Sequence, residues 1–257
     1  MSNGKLVVVG LGPGDEAFCA PAALQAIKDA EAVVGYKGYI SLVKPEHLEG
    51  KEVYSTAMMG EVERCMRAVE LAVEGKNTAV VCSGDAGIYA MAGLILELIE
   101  KNGYLDKVDF SVMPGIPAFT AAAALLGAPL MHDFASISLS DLLTPWAKIV
   151  KRLDLAAEAD FVIALYNPRS KKRVEQLPTA MQIIGKHRSA DTPVGIVTKA
   201  GREGQEVLYT TVGQLDPEDV GMQTVLLVGN SATRMAGKYM LTPRGYDGKY
   251  DLTRGEK

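Results

Sequence analysis

Short apolar runs alternate with helical patterns through the first half of the chain, and this alternation limits the fold more than any other feature. Strands are predicted at Lys5–Val9, Ala32–Val34, Thr78–Cys82 and Asp109–Met113. Helices are predicted at Pro21–Ala30, Glu61–Glu74 and Ile88–Lys101. Strands that alternate with helices pair side by side in one direction, so the pattern predicts an α/β lobe with a mostly parallel sheet.

The second half of the chain has a different pattern of predicted strands and helices. Strands are predicted at Ala135–Leu139, Phe161–Tyr166, Val194–Thr198, Glu206–Val212 and Thr224–Val228, and helices at Pro145–Ala159 and Arg173–Gly185. Strands now outnumber helices, which favours a second α/β lobe with a mixed sheet. A small-residue helix inside "PGIPAFTAAAALLGAPLMHD" is expected to connect the lobes. We therefore predict domains at 1–116 and 117–257, the second ending in a loosely ordered polar tail from Thr242.

Charge and cysteine content exclude several classes of protein. The chain has 27 Lys and Arg against 31 Asp and Glu, a formal charge of −4, so nothing in the bulk charge attracts nucleic acid. Its three cysteines are isolated, which is typical of a reducing compartment and argues against disulfides and zinc. The three histidines do not have metal-ligand spacing, so no metal site is predicted. Without a signal peptide or an apolar segment long enough to span a bilayer, a cytoplasmic protein is expected.

Two predicted strands run into glycine loops that carry an aspartate. The first, "VVVGLGPGD", lacks the G-x-G-x-x-G spacing that opens directly into a helix, and its Asp15 would repel a pyrophosphate. The second is "VVCSGDAG", with Asp85 after the strand. Glycines allow close approach of a ligand, and acids suit hydroxyl donors and positive charge, so the pair favours S-adenosylmethionine over a dinucleotide. Either loop alone is equally explained as a tight turn whose aspartate caps backbone N–H groups.

Longer motifs give a resemblance over almost the whole chain. These are "VGLGPGD", "CSGDAGIYAMAG", "PGIPAFTAAAALLGAPLMHDFASISLSD", "TPW", "ALYNPRSKKR", "TPVGIV", "LLVGNSATR" and "TPRGYDGKY". In this order they resemble the precorrin-type tetrapyrrole methyltransferases. The resemblance implies two α/β lobes with the active cleft between them, S-adenosylmethionine as methyl donor, a small-molecule tetrapyrrole substrate and a homodimer. It also implies methylation at C17 of precorrin-3B or its cobalt form, with ring contraction to (cobalt-)precorrin-4, in cobalamin biosynthesis.

The resemblance also implies contacts for the methyl donor. Carried over by position, these are Pro13, Ser83, Gly84, Asp85, Ile88, Pro117, Ala118, Tyr166 and Asn167. Two stretches depart from the family pattern: the common "GDP" is "GDA" here, and the frequent "PGITSA" is "PGIPAF".

A dense cationic run, "NPRSKKR" from Asn167 to Arg173, precedes a predicted helix. Cations oppose the helix dipole there, so an external anion such as the carboxylates of a tetrapyrrole would resolve the conflict. Arg169 and Lys172 are the predicted carboxylate contacts. A solvated charge run is the plain alternative.

No triad or metal cluster is expected, because methyl transfer from a sulfonium depends on alignment in a water-poor site. His132, Asp133 and Asp141 are weak candidates for the proton movement in ring contraction, although His132 with Asp133 equally suits a structural pair and Asp141 a cap. Three alternatives stay open: another precorrin position, a related methyltransferase acting on diphthine or ribosomal RNA, and a carrier that sequesters a tetrapyrrole without turnover.

Overall fold

The computed structural model describes residues 4–253 and divides into two compact units, one ending at Ala118 and the other beginning at Phe119. The first unit holds a parallel sheet and the second a mixed sheet, each with helices. These two sheets confirm the predicted fold class. Within residues 4–253, no helix is both long enough and apolar enough to cross a membrane.

The first unit follows the predicted alternation. Its strands are β1 (Gly4–Gly10), β2 (Ala32–Tyr36), β3 (Glu52–Thr56), β4 (Thr78–Cys82) and β5 (Val108–Met113). Its helices are α1 (Pro21–Asp29), α2 (Lys37–Ile40), α3 (Glu61–Val73) and α4 (Ala92–Lys101). The strands pair in parallel in the order β3-β2-β4-β1-β5. The carboxyl ends of β4, β1 and β5 therefore lie side by side at one edge of the sheet.

Side-chain alternation along the strands builds a core on each face of this sheet. Leu6, Val8 and Val80 belong to one buried cluster, which includes residues of α3 and α4. Val9 and Val81 belong to a second cluster, which includes residues of α1. Because successive strand residues point to opposite faces, strands as apolar as β1 and β4 must be covered on both sides.

The second unit contains the remaining elements. Its helices are α5 (Ala118–Leu126), which begins on the last residue of the first unit, α6 (Trp146–Glu158) and α7 (Gln176–Ile184). Its strands are β6 (Gly127–Ala128), β7 (Phe134–Ser138), β8 (Val162–Tyr166), β9 (Pro193–Thr198), β10 (Glu206–Thr211), β11 (Thr224–Val228), β12 (Arg234–Ala236) and β13 (Tyr239–Leu241).

The larger sheet of this unit has the order β10-β9-β11-β8-β7, with β7 and β8 parallel and the other pairs antiparallel. A smaller sheet joins β12, β13 and β6. The core lies between the large sheet and helices α6 and α7, with Ile149, Leu165 and Leu177 almost fully buried. Trp146 packs against this core from the first residue of α6.

Two predicted helix starts are wrong. The helix predicted from Ile88 begins at Ala92, because Tyr89 has a left-handed backbone with φ +54°. The helix predicted from Arg173 begins at Gln176, and its first turn carries no acid. The cationic run therefore lies in the loop before α7, which removes the conflict with a helix dipole on which the predicted anion site rested.

Candidate functional site

Three loops meet where β4, β1 and β5 end. Gly12 and Gly84 form an isolated antiparallel bridge: Gly12 N–H donates to Gly84 O at 3.0 Å, and Gly84 N–H donates to Gly12 O at 2.7 Å. Leu11 N–H donates to Cys82 O at 2.8 Å. The loops after β1 and β4 therefore support each other through backbone groups.

Glycines allow these loops to pack more closely than any side chain would permit. A Cβ atom on Gly115 would lie 2.2 Å from Gly84 O and 2.7 Å from Gly10 C. Gly12 and Gly84 also have left-handed backbones, with φ +74° and +70°. Close approach therefore requires glycine at Gly115, whereas at Gly84, where a Cβ would come no closer than 3.6 Å to another atom, the left-handed backbone favours glycine.

Asp85 joins two of these loops. Its Oδ1 accepts a hydrogen bond from Gly87 N–H at 2.8 Å, and its Oδ2 accepts one from Gly115 N–H at 3.0 Å. Asp15 accepts from Ala17 N–H at 2.8 Å and so caps the short 3-10 helix Glu16–Phe18. In both loops the acid binds backbone N–H groups, which was the alternative explanation from the sequence.

The other predicted contacts of the first unit lie in or beside the same loops. Pro13 is buried, whereas Ser83 and Ile88 are half-buried. A Cβ on Gly84 would approach Pro117 Cα at 3.7 Å and Ala118 N at 3.6 Å. The chain thus brings all the predicted first-unit residues to one edge of one sheet.

Ionic contacts fix the segment that follows the first glycine loop. Glu16 binds Lys44 Nζ and His47 Nε2, each at 2.8 Å. The hydrogen bond from Lys44, assisted by His47, lowers the pKa of the Glu16 carboxyl below its ordinary value of 4.5. These two ion pairs connect Glu16, at the end of this loop, to the 3-10 helix Pro45–His47 and the residue before it.

The cysteines of the first unit are held as neutral thiols. Burial raises the pKa of Cys65 to about 12 and that of Cys82 to about 11. Cys82 is the last residue of β4, directly before the loop that carries Asp85. Cys65 and Cys82 are therefore small buried apolar residues of the core, whereas Cys19 is half-buried.

In the second unit, β8 ends on Tyr166, and Asn167 follows it directly. Tyr166 Oη accepts a hydrogen bond from Phe119 N–H at 3.0 Å, and the two rings meet edge to face with centroids 6.3 Å apart. Asn167 has a left-handed backbone, φ +50°, and its Nδ2 donates to Ser138 Oγ at 3.0 Å. Asn167 Oδ1 accepts no hydrogen bond from residues 4–253.

The cationic run divides into residues with different roles. Arg173 is only 9% exposed and donates from Nε and Nη2 to Asn167 O, at 3.2 and 3.0 Å. Arg169 donates to both carboxylate oxygens of Glu218 and to Pro217 O. Lys172 is exposed and has no hydrogen bond or ion pair with the described residues. The roles of Arg173 and Ser138 were not predicted from the sequence. Neither a buried arginine that bonds a loop carbonyl nor a serine at the end of a strand has a distinguishing sequence pattern.

The weak proton-transfer candidates are exposed. His132 Nδ1 accepts from Asp133 N–H at 3.0 Å, so a neutral His132 ring carries its proton on Nε2. Both residues line a cavity of about 440 Å³ together with Asp160 and Arg244. Asp141 accepts from Gln176 Nε2 at 2.9 Å and lies five residues before α6, which begins at Trp146.

Among residues 4–253 no group of three or more acids, histidines or cysteines could hold a metal ion. What the first-unit loops offer is a closely packed, glycine-rich backbone edge, with Asp85 bonded to backbone N–H groups. Such an edge suits a ligand that is bound by backbone groups and close contact, including the ribose and adenine of a nucleoside. The backbone N–H groups and glycines of this edge thus fit S-adenosylmethionine, the methyl donor predicted from the sequence.

Comparison with known proteins agrees with this description. The family model of tetrapyrrole (corrin/porphyrin) methylases matches residues 5–216. A probable cobalt-factor III C(17)-methyltransferase from Salmonella typhimurium is 52% identical over 241 residues, covering 94% of this chain and 99% of its own. A precorrin-3B C(17)-methyltransferase from Sinorhizobium sp. is 36% identical over 254 residues, covering 96% and 98%.

Among solved structures, the crystal structure of the methyltransferase CobJ matches with a TM-score of 0.89 at 38% identity, covering 93% of this chain and all of that one. Two further curated relatives, each 45% identical, are longer, and the chain spans 47% and 55% of their lengths.

Proposed function

Because the chain belongs to the tetrapyrrole (corrin/porphyrin) methylase family, we propose that it methylates C17 of a tetrapyrrole with S-adenosylmethionine as donor. The substrate that we propose is the cobalt-loaded tetrapyrrole in the name of the Salmonella typhimurium relative, cobalt-factor III, and methylation is accompanied by ring contraction in cobalamin biosynthesis. One observation carries the choice of position and metal form: the relative that is 52% identical over 99% of its length has that name. The relative named for the metal-free substrate is only 36% identical.

When bound, S-adenosylmethionine supplies a methyl group on a positively charged sulfur, and transfer to an electron-rich carbon neutralises that charge. The glycine edge of the first unit contributes close approach and exclusion of water. Asp85 contributes by holding the loops after β4 and β5 together, because both of its oxygens are already bonded to backbone N–H groups. We therefore assign Gly84, Asp85, Pro117 and Ala118, with Pro13, Ser83 and Ile88, to donor binding.

In the second unit we assign Tyr166 and Asn167 to the same donor. Tyr166 Oη is engaged by Phe119 N–H, so the residue offers its ring more than its oxygen as an acceptor. Asn167 Oδ1 is a neutral acceptor that suits the ammonium of a methionyl group.

Substrate carboxylates are assigned to Arg169 and Lys172. Lys172 is exposed and needs no rearrangement, whereas Arg169 must release Glu218 to take a new anion. The net charge of −4 on the whole chain makes a local cationic pair necessary for an anionic substrate. His132, Asp133 and Asp141 stay candidates for proton movement.

One experiment tests the reaction. The purified protein is incubated with metal-free or cobalt-loaded tetrapyrrole and S-adenosylmethionine that carries an isotopic label on its methyl group. We expect one labelled methyl in the product, faster with the cobalt form, and a carbon-carbon connectivity by NMR that places it on C17. Label at another carbon would assign a different precorrin position, and binding without label transfer would indicate a carrier.

We also propose that the protein is a homodimer in the cytoplasm and that it has no nucleic-acid partner. The acidic balance of the chain and its isolated cysteines support it. Light scattering on the purified protein, with and without added RNA, tests the dimer and the lack of nucleic-acid binding together.

A further inference from the structure

Arg173 belongs to the cationic run by sequence but not by environment. Lys171 and Lys172 are exposed, whereas Arg173 is 9% exposed. Its guanidinium forks onto a single acceptor, Asn167 O, through Nε at 3.2 Å and Nη2 at 3.0 Å. A charged, two-pronged donor on one carbonyl is a strong and directional contact, so this arginine fixes the peptide that follows Asn167.

Ser138 holds the same turn from the other side. Its Oγ accepts from Asn167 Nδ2 at 3.0 Å and from Ser140 N–H at 3.2 Å. Asn167 has φ +50°, a left-handed conformation that asparagine adopts more readily than most non-glycine residues, and these hydrogen bonds hold it there. Main chain and side chain of Asn167 are therefore each tied to a different element, the loop before α7 and strand β7.

We propose that Arg173 and Ser138 are positioning residues for methyl-donor binding. They touch no ligand; they hold the turn after β8 so that the Tyr166 ring and Asn167 Oδ1 are preorganised. This rests on the proposed function, and in particular on the assignment of Tyr166 and Asn167 to the donor. It also separates Arg173 from the cations that serve substrate carboxylates.

The first test uses the full chain with Arg173→Gln, Arg173→Lys and, as a matched control, Lys171→Gln. Calorimetry gives the Kd for S-adenosylmethionine, steady-state kinetics give the KM for the tetrapyrrole, and thermal melting shows that each variant is folded at the assay temperature. We expect Arg173→Gln to raise the donor Kd about tenfold, as for loss of a charge-assisted contact, with the tetrapyrrole KM unchanged. Arg173→Lys, which keeps the charge and one donor, should lie between wild type and Arg173→Gln, and Lys171→Gln should match wild type.

The second test uses Ser138→Ala, which removes one hydroxyl and is expected to fold even if Arg173→Gln does not. It should raise the donor Kd about fivefold. In the double variant the Kd should rise by less than the product of the two single increases, because both residues hold one turn. The proposal is overturned if folded Arg173→Gln and Ser138→Ala bind the donor as Lys171→Gln does. That result leaves the proposed function intact, whereas a wild-type protein that transfers no methyl group overturns the proposed function instead.

Discussion

Gly115 donates its backbone N–H to Asp85 Oδ2 at 3.0 Å, and this bond joins the loop after β5 to the loop after β4. The other oxygen, Oδ1, accepts from Gly87 N–H within its own loop. One carboxylate thus sets the relative position of two loops that we assign to the methyl donor. Its removal is expected to act on ligand binding through loop order, not through a lost ligand contact.

Asp85→Ala should weaken S-adenosylmethionine binding by about 1–3 kcal/mol, since two charge-assisted bonds that order the loops are lost. Asp85→Asn, which keeps one acceptor oxygen, should have a smaller effect. Calorimetry measures both. Asp109→Ala removes an exposed acid near the start of β5 and serves as control; equal affinities in all variants would exclude the role of Asp85.

Gly115→Ala should disrupt the glycine edge by steric overlap. Its new Cβ would lie 2.2 Å from Gly84 O, and such overpacking against rigid backbone costs about 1–3 kcal/mol in the free energy of unfolding. We expect donor binding to fall sharply in the same variant.

Gly103→Ala is the matched comparison for this change. Gly103 has φ +68° but nothing within 4 Å of a new Cβ. It should lose about 1 kcal/mol of stability from backbone strain alone and keep the wild-type Kd for the donor. Denaturant unfolding with calorimetry separates the two glycines; similar Kd values for both variants would contradict close packing as the reason for Gly115.

Asn167 should act through its acceptor oxygen. Asn167→Asp keeps an oxygen and adds negative charge, so donor affinity should be retained or improved, while Ser138 can turn its hydroxyl to donate. Asn167→Gly accepts the left-handed backbone without strain but loses the acceptor, so affinity should fall. If Asn167→Asp instead binds as poorly as Asn167→Gly, the residue presents its NH₂ group and not Oδ1.

Lys172→Gln should raise the KM for the tetrapyrrole with little change in the Kd for the donor, because its charge serves the other ligand. Lower salt should strengthen substrate binding more in wild type than in this variant. Glu218→Gln frees Arg169 from its ion pair and should lower the KM. An unchanged KM in both variants would show a solvated charge run with a structural Arg169.

Stability should fall in acid through the Glu16 ion pairs. Lys44 and His47 lower the pKa of Glu16 in the folded state below 4.5. The contribution is therefore fully present above the unfolded pKa and is lost as pH falls through the folded one. Urea unfolding of wild type and Glu16→Gln, followed downward from neutral pH, should show the two curves converging in acid; parallel curves would contradict the linkage.

The strands were predictable because apolar period and length define them. β4 and β11 were predicted at their observed bounds, and β1, β5, β7, β8, β9 and β10 within a residue at each end. β3 was missed, as were the short strands β6, β12 and β13. The residues of β3, "EVYST", are partly exposed and carry no continuous apolar run. Helix starts failed at Ala92 and Gln176, where loops bound by tertiary contacts replace the first predicted turn.

The residues at the glycine edge could also be found from sequence, since strand, glycine and acid follow one another in the chain. The role of each acid could not be predicted from the sequence. Asp85 and Asp15 are alike in sequence, yet one joins two loops and the other caps a 3-10 helix. Likewise, Arg173 and Lys172 are neighbours of equal charge, and only the fold decides that one is buried against Asn167 O. Contacts between distant segments have no local signature.

Burial of Cys82 has a consequence for an enzyme that handles an electrophile. A sulfonium methyl donor alkylates good nucleophiles, and a thiolate is among the best that a protein contains. Cys82 directly precedes the loop assigned to the donor, yet its burial, which raises its pKa to about 11, leaves it almost wholly protonated at neutral pH. Cys82 is also fully buried, so we expect the core packing that builds β4 to make this sulfur resistant to alkylation by the donor.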